Sequence, residues 1–162
     1  MSDLRSVFET LHNSYHPMVL QMCTGFMKGD KDLAADLSQD VFINVWNALP
    51  KFRNESSHKT WIYRIAVNTC LQQIRKSKTK IRVPIEHAGA ITEAKDNRDE
   101  QSLQLMTAVG QLENVDRLII MMVLDALEYE EIARVMGISE NNLRVKIHRI
   151  KLKLKTLMSH GE

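Results

Sequence analysis

Cationic and amide side chains dominate one stretch near the carboxyl end of the sequence, and these residue types suit phosphates and base edges. No acidic residue lies between Asn141 and Lys155. The stretch carries a run of polar and basic side chains: Asn141, Asn142, Arg144, Lys146, His148, Arg149, Lys151, Lys153 and Lys155. Lys and Arg neutralise phosphates, and Arg or Asn can pair with base edges in a groove. The alternative is a solvated basic face on an ordinary bundle helix.

A second group of candidate binding residues lies in the first half of the chain. Its members are aromatic, cationic or amide side chains that recur at steps of three or four: Trp61, Arg64, Asn68, Gln72 and Arg75. An aromatic ring can stack on an unpaired base, Arg can track the backbone, and Asn or Gln can read base edges. The stripe therefore favours single-stranded or melted nucleic acid, although Trp61 could equally be a core residue at helical spacing.

A third stripe is acidic and lies on a helix predicted from about residue 32 to 49. Its apolar side is predicted to be buried: Leu33, Leu37, Val41 or Phe42, Val45 and Leu49. The opposite side holds Asp32, Asp36, Gln39, Asp40 and Asn44. An acidic face repels nucleic acid, so we expect it to meet protein, and the alternative is a solvated helix face.

The sequence shows no constellation for catalysis, metal binding or cofactor binding. Its carboxylates and histidines lack paired spacing with any nucleophile, so an enzyme acting on a small-molecule substrate is not indicated. Cys23 and Cys70 do not form a C-x-x-C motif, and the six histidines show no metal-ligand motif, so neither a zinc site nor a disulfide framework is indicated. The chain also lacks a signal-like start and a long apolar run, so we expect it in the cytoplasm and not in a membrane.

Charge is sorted into blocks along the chain. The formal net charge is only +2, but it is −3 over residues 1–50, +8 over 51–82, −8 over 83–131 and +5 over 132–162. A basic block beside an acidic block indicates two separate basic patches within the protein. We therefore expect two contacts with nucleic acid.

The basic stretch is predicted to form the second helix of a helix-turn-helix. Apolar residues at helical spacing stop at Gly137, which can take a positive φ just past a helix end. Ser139 can then cap a second helix, whose apolar stripe would face a core: Leu143, Ile147, Ile150, Leu154 and Leu157. In a helix-turn-helix the second helix enters a major groove.

The rest of the chain predicts further helices and one linker. Residues 4–27 predict two short helices or one kinked helix, because Pro17 interrupts an otherwise helical pattern. Asp30 or Asp32 can cap the acidic helix, and the helix that carries Trp61 is predicted to begin at about Thr60.

Residues 77–102 contain Pro84, Gly89 and little periodicity, so they read as a linker. A helix follows over 103–112, and a very apolar helix capped by Asn114 is predicted over 115–127. The predicted fold class is all-α, with two small helical domains joined by an extended linker.

Motifs in both halves resemble bacterial sigma factors, most closely the two-domain extracytoplasmic-function (ECF) group. Residues 36–42 (DLSQDVF) and 60–68 (TWIYRIAVN) resemble the second region of these RNA polymerase subunits. Residues 129–133 (YEEIA), 137–139 (GIS) and 148–149 (HR) resemble the fourth region. Helix-turn-helix patterns occur in many regulators, whereas this ordered set of motifs is much more specific.

The resemblance implies a function and a domain plan. Residues 1–76 would be sigma region 2, residues 77–102 the linker, and residues 103–162 sigma region 4. Such a chain directs core RNA polymerase to promoter DNA and helps to open the minus-ten element, without catalysing a reaction itself. Its polymerase contacts would be the β′ clamp helices and the β flap, and an anti-sigma factor is a common further partner in this group.

The resemblance also assigns roles to individual residues. The polymerase-docking positions are Asp36, Gln39 and Asp40. The loop that captures a flipped base of the minus-ten element is Asn54, Glu55, Ser56, Ser57, His58 and Lys59. The helix that supports melting holds Trp61, Arg64 and Asn68, and the stripe continues to Gln72 and Arg75. The minus-thirty-five element would be read by Asn141, Asn142, Arg144, Val145, His148, Arg149 and Lys151.

Several positions depart from the family pattern in the carboxyl-terminal half. Ala126 replaces a usual Gly, Glu128 a capping Ser, Asn142 a Thr and Val145 a Ser. Val145 cannot donate a hydrogen bond, which changes the expected minus-thirty-five preference. Two other functions are conceivable: a sigma-like adaptor that binds only protein, and a repressor that uses only the helix-turn-helix. The basic block at 51–82 argues against the first, and the acidic stripe argues against the second.

Overall fold

The computed structural model describes residues 3–79 and 100–159, and these residues are helical with short connections. The helices are α1 (Leu4–Phe26), α2 (Lys31–Ala48), a 3-10 turn (Leu49–Lys51), α3 (His58–Thr79), α4 (Glu100–Gly110), α5 (Asn114–Leu124), α6 (Tyr129–Met136) and α7 (Glu140–Ser159). No strand occurs within these two described ranges. The predicted all-α fold class is confirmed.

The amino-terminal half consists of α1, α2 and α3 packed around a common apolar core. Helix α1 runs continuously through Pro17, so the single helix is the correct one of the two predicted alternatives. Its inner face includes Val19 and Cys23, which are both completely buried. Packing of this face offsets the backbone hydrogen bond that Pro17 cannot donate.

Helix α2 begins as the sequence predicts, but its buried stripe is shifted at the first turn. Asp30 caps the helix by accepting the backbone N–H of Leu33 at 3.1 Å. Leu33 itself is 37% exposed, so its predicted burial is wrong, and Ala34 takes the buried position instead. Both Val41 and Phe42 are buried, although the pattern alone left the choice between them open.

Two helix boundaries differ from the predictions because of local capping and helix extension. The hydroxyl oxygen of Ser57 accepts the backbone N–H of Thr60 at 3.1 Å, so α3 begins at His58 and not at about Thr60. Helix α3 continues to Thr79 and α4 begins at Glu100. Both ends of the predicted linker 77–102 are therefore helical, and residues 80–99 lie outside the described part of the chain.

The carboxyl-terminal half is built around α5, which is the predicted buried helix. Its centre is fully buried, but Leu124 is 44% exposed and the helix ends there instead of at Leu127. The reason is Ala126, whose φ of 60° places it in the left-handed region that stops a helix. The predicted cap is also wrong: Glu113 occupies the N-cap position, and Asn114 is the first helical residue.

The helix-turn-helix forms as predicted. Gly137 ends α6 with a φ of 70°, and its N–H donates to the carbonyl of Ala133. The hydroxyl oxygen of Ser139 accepts the N–H of Asn142 at 3.1 Å and caps α7. These two local features fix the end of α6 and the start of α7.

The two halves are packed against each other, an arrangement that the sequence analysis left open. Helix α1 contacts α4 and α5, and α3 contacts α6. Gly25 lies so close to Met121 that a Cβ atom at Gly25 would be 2.4 Å from the Met121 sulfur. The buried residues of both halves form a single apolar cluster.

Candidate nucleic-acid and polymerase interfaces

Helix α7 presents an exposed basic face away from the core. The residues that hold it to the core are Leu143, Ile147, Ile150 and Leu154, all of them buried. The polar and basic residues of the predicted minus-thirty-five set are exposed: Asn141, Asn142, Arg144, His148, Arg149 and Lys151. Val145 shares this surface and is 49% exposed, so an apolar side chain lies among the cations.

Tyr129, at the start of α6, contacts two cations of α7. The Arg144 guanidinium lies 5.2 Å from the centre of the Tyr129 ring, and Arg144 also pairs with Glu140 at 3.3 Å. The ammonium of Lys151 donates to the Tyr129 hydroxyl oxygen at 3.3 Å. Tyr129 therefore restrains both side chains in the free protein. Sequence reasoning gave Tyr129 no such role, although its place in the YEEIA motif was visible.

The stripe on α3 is exposed along most of its length, but Trp61 is only partly so. Arg64, Asn68, Gln72 and Arg75 are exposed. Trp61 is half-buried and its ring lies 4.6 Å from that of Phe52, measured between centroids. Phe52 also contacts the ring of His58 at 4.9 Å. Trp61 thus packs on Phe52 with one part of its ring and keeps another part accessible.

The segment predicted to capture a flipped base is a bend followed by the first turn of α3. Asn54 has a φ of 58°, which gives the chain a sharp change of direction after the 3-10 turn. Asn54, Glu55 and Ser57 are exposed, whereas His58 and Lys59 belong to the helix and are partly covered. Ser57 has a structural role as the cap of α3 in addition to its predicted contact with DNA.

The predicted polymerase-docking residues of α2 lie on one exposed face. Asp36, Gln39 and Asp40 are all exposed. Two large apolar residues, Ile43 and Trp46, extend this face toward the end of the helix. Their exposed fractions are 57% and 43%. The sequence analysis did not single out either of them. An acidic surface with exposed apolar residues suits a protein partner more than nucleic acid.

The first turns of α3 contact α6 and Asp125, the residue that follows α5, in the other half. The Lys59 ammonium lies 3.5 Å from a carboxylate oxygen of Asp125, and the Tyr63 hydroxyl donates to the same carboxylate. The Thr60 hydroxyl donates to Glu131. Burial raises the pKa of Tyr63, with further contributions from the hydrogen bond to Asp125 and its charge, so the phenol remains a donor. The sequence analysis did not predict these contacts.

Arg117 forms the buried part of the same junction. It is 5% exposed, and its side chain donates to the carbonyls of Phe26 at 3.0 Å and Leu112 at 2.6 Å, and to the Asn114 side chain. The guanidinium also lies 5.1 Å from the centre of the Phe26 ring. The carbonyls belong to residues at or just beyond the ends of α1 and α4, where no following helical N–H is available. The sequence gave no signal for a buried arginine inside an apolar helix.

Residues 3–79 and 100–159 contain no cluster of three or more side chains suited to holding a metal ion. Cys23 and Cys70 are both buried and form no disulfide. Among the helices of this described portion, none is long and apolar enough to cross a membrane.

Comparison with known families assigns both halves of the chain. The model of Sigma-70 region 2 matches residues 11–80, and the model of Sigma-70, region 4 matches residues 102–154. The ECF RNA polymerase sigma factor SigX of Bacillus subtilis is 31% identical over 98% of this chain and 86% of its own length. The RNA polymerase sigma factor YlaC of the same organism is 29% identical over 96% of this chain and 94% of its own length.

A solved structure shares this fold. The sigma factor RpoE of Bartonella quintana, in complex with the anti-sigma factor NepR, superimposes with a TM-score of 0.73 at 20% identity. The match covers 94% of this chain and 96% of that one. Both family models, the identity to SigX and this shared fold lead to one assignment: the chain belongs to the ECF RNA polymerase sigma factors, transcription initiation factors that direct polymerase to promoters.

Proposed function

We propose that the two basic surfaces divide promoter recognition between them, with α7 reading the minus-thirty-five element in the major groove. The observation that carries this proposal is the exposed cationic face of α7, which is held outward by a buried stripe and a capped first turn. Arg144 and Arg149 have the reach for bidentate contacts with guanine, and Val145 can meet a thymine methyl. The remaining lysines would contact phosphates.

The first turns of α3 and the bend before them would bind and open the minus-ten element. Asn54 to Lys59 form the base-capturing segment, and the accessible part of Trp61 offers a stacking surface beside it. Flipping a base costs a few kcal/mol, and stacking returns about 1–3 kcal/mol for each captured base. Arg64, Asn68, Gln72 and Arg75 would then follow the single strand along α3. The minus-ten element would be opened by binding energy alone, without hydrolysis by the sigma factor.

The acidic face of α2 would dock on the clamp helices of the polymerase β′ subunit. Asp36, Gln39 and Asp40 supply its charge, and exposed Ile43 and Trp46 add an apolar border that we include in the docking surface. Region 4 would contact the β flap. An anti-sigma factor is a further proposed partner, since RpoE, which shares this fold, was solved with one. Because core polymerase and promoter DNA are its proposed partners, we expect the chain to act in the cytoplasm.

Domain limits follow from the same proposal. Region 2 would comprise residues 1–76 and region 4 residues 103–162, with residues 77–102 between them. The helical ends of α3 and α4 shorten the non-helical part of that connection.

Run-off transcription with purified core polymerase and a promoter library tests the proposal. The wild-type chain should select a discrete set of promoters, and Arg149→Ala should change that set by weakening one position by about 1–3 kcal/mol. Asp40→Lys should lower affinity for core polymerase in a pull-down while circular dichroism stays unchanged. Glu113→Lys, a charge reversal at an exposed residue of region 4, is the matched control. Failure of the wild-type chain to confer any promoter choice would refute the proposal.

A further inference from the structure

We propose that Tyr129 is a positioning residue for the minus-thirty-five contact, because its ring holds the Arg144 guanidinium ready to meet a guanine base. The inference rests on the proposed function, since it takes α7 as the helix that reads this element. Tyr129 acts from α6 and through Arg144, without a base contact of its own.

The Tyr129 ring is held at both of its ends. Tyr129 is the first residue of α6, and its half-buried side chain packs against the apolar core. At the far end of the ring, the hydroxyl oxygen accepts from the Lys151 ammonium at 3.3 Å. A tyrosine has few side-chain torsions, so little conformational entropy is lost when it is held. The ring therefore provides a rigid surface beside the exposed face of α7.

Arg144 lies over this surface near the start of α7. Its guanidinium carbon is 5.2 Å from the centre of the Tyr129 ring, within the range of a cation–π contact. Residues in the first turns of a recognition helix are the ones that meet base edges. A free arginine side chain loses conformational entropy when DNA immobilises it. Because Tyr129 restrains Arg144 in the free protein, less entropy remains to be lost on binding.

The ring restrains Arg144 without occupying its hydrogen-bond donors. A ring face attracts the cation electrostatically, and the guanidinium has several N–H groups. Glu140 accepts from Nη2 at 3.3 Å, and both partners of this ion pair are exposed. Exposed pairs of this kind are weak and screened by salt, so a guanine can displace the carboxylate. The donors of Arg144 can then reach the O6 and N7 atoms of guanine.

Arg149 provides an internal comparison on the same helix. Its side chain is exposed and forms no ring contact, ion pair or hydrogen bond with any part of the chain that the structure describes. Arg144 and Arg149 both belong to the proposed minus-thirty-five set, but of these two only Arg144 is held in the free protein. Loss of the Tyr129 ring should therefore affect the base read by Arg144 and spare the base read by Arg149.

Promoter selection by the holoenzyme tests this role. Purified core polymerase is combined with the chain and with a promoter library randomised in the minus-thirty-five element, and the bound promoters are sequenced. The variant Arg144→Ala identifies the position that Arg144 reads. Tyr129→Leu should lower the preference for the best base at that position by about two- to fivefold, the factor that an exposed cation–π contact supplies. Preferences at the other positions should stay unchanged.

Three further variants separate positioning from a general structural effect. Tyr129→Phe keeps the ring and removes the hydroxyl, so it should retain the preference. Tyr15→Leu is the matched control, because it removes another partly buried tyrosine that packs on the core, in the amino-terminal half. It should leave the preference unaltered. In an Arg144→Ala background, Tyr129→Leu should change nothing further at that position, because a positioning residue acts only through the residue that it holds.

The positioning role is refuted if Tyr129→Leu leaves this preference unchanged, weakens all positions alike, or acts equally in the Arg144→Ala background. It is also refuted if Tyr129→Phe loses as much preference as Tyr129→Leu, because the hydroxyl and not the ring would then be responsible. Tyr129→Met, a second variant without the ring, repeats the test if circular dichroism shows that leucine unfolds the chain.

The same experiment distinguishes this failure from failure of the proposed function. If Arg144→Ala itself leaves promoter choice unchanged, the proposed reading by Arg144 is wrong and the positioning role is wrong with it. If Arg144→Ala alters promoter choice and Tyr129→Leu does not, only the positioning role is refuted.

Discussion

Replacing Arg117 with methionine should destabilise the whole chain by about 2–4 kcal/mol. Methionine keeps most of the length and the apolar stem of the side chain. It leaves the carbonyls of Phe26 and Leu112, which accept from the guanidinium at 3.0 and 2.6 Å, without a hydrogen-bond donor. Each buried carbonyl without a donor lowers the free energy of unfolding by about 1–3 kcal/mol. Part of that cost is offset, because burial lowers the pKa of Arg117 and the variant no longer has to desolvate a charge.

Urea denaturation, monitored by circular dichroism, measures this loss of unfolding free energy. For a chain of this length, each kcal/mol corresponds to about 2–4 °C in melting temperature, so thermal unfolding should shift downward by roughly 4–16 °C. Arg117→Lys serves as the comparison, since an ammonium retains the charge but cannot reproduce the fork that reaches both carbonyls. It should recover only part of the loss. A change below about 0.5 kcal/mol for Arg117→Met would refute the capping role assigned to the guanidinium.

Three further predictions concern backbone conformation and protonation. Ala126→Gly should stabilise the chain by about 0.5–1 kcal/mol. The strain of alanine in the left-handed region is removed, and this gain exceeds the extra conformational entropy that glycine loses on folding. The midpoint of urea unfolding should rise, and the dependence of the unfolding free energy on urea concentration should stay unchanged. Gly137→Ala should instead lose about 1–2 kcal/mol, because φ is 70° there, and an unchanged midpoint would contradict this. Burial, with the charge of His16, lowers the pKa of His12 below 6.5, so the folded state resists protonation and stability should fall as pH drops below that value. His12→Gln should flatten this fall in pH-dependent unfolding.

Local signals in the sequence predicted the helix-turn-helix well. The end of α6 at Gly137 and the cap at Ser139 depend on backbone conformation and on side chains within three residues. Neither needs information from the rest of the chain. The exposure of the basic face on α7 follows from the spacing of its buried residues alone.

Contacts between distant parts of the chain were the features that the sequence could not supply. Arg117 lies in an apolar helix, and nothing nearby indicates that the carbonyl of Phe26 will need a donor. The start of α5 was also misassigned. Asn114 is a good capping residue by type, but in the structure it is the first helical residue and Glu113 takes the N-cap position. The packing of α3 on α6 arises from side chains about seventy positions apart, such as Thr60 and Glu131.

The contacts that hold the two halves together differ in strength. Lys59 and Asp125 are partly exposed, so their pairing contributes only about 0.2–1 kcal/mol and weakens with salt. The hydrogen bonds of Arg117 to the carbonyls of Phe26 and Leu112 are buried and respond little to salt. The packing of α1 on α5 therefore depends mainly on buried contacts, and the exposed ion pair between Lys59 and Asp125 adds little to it.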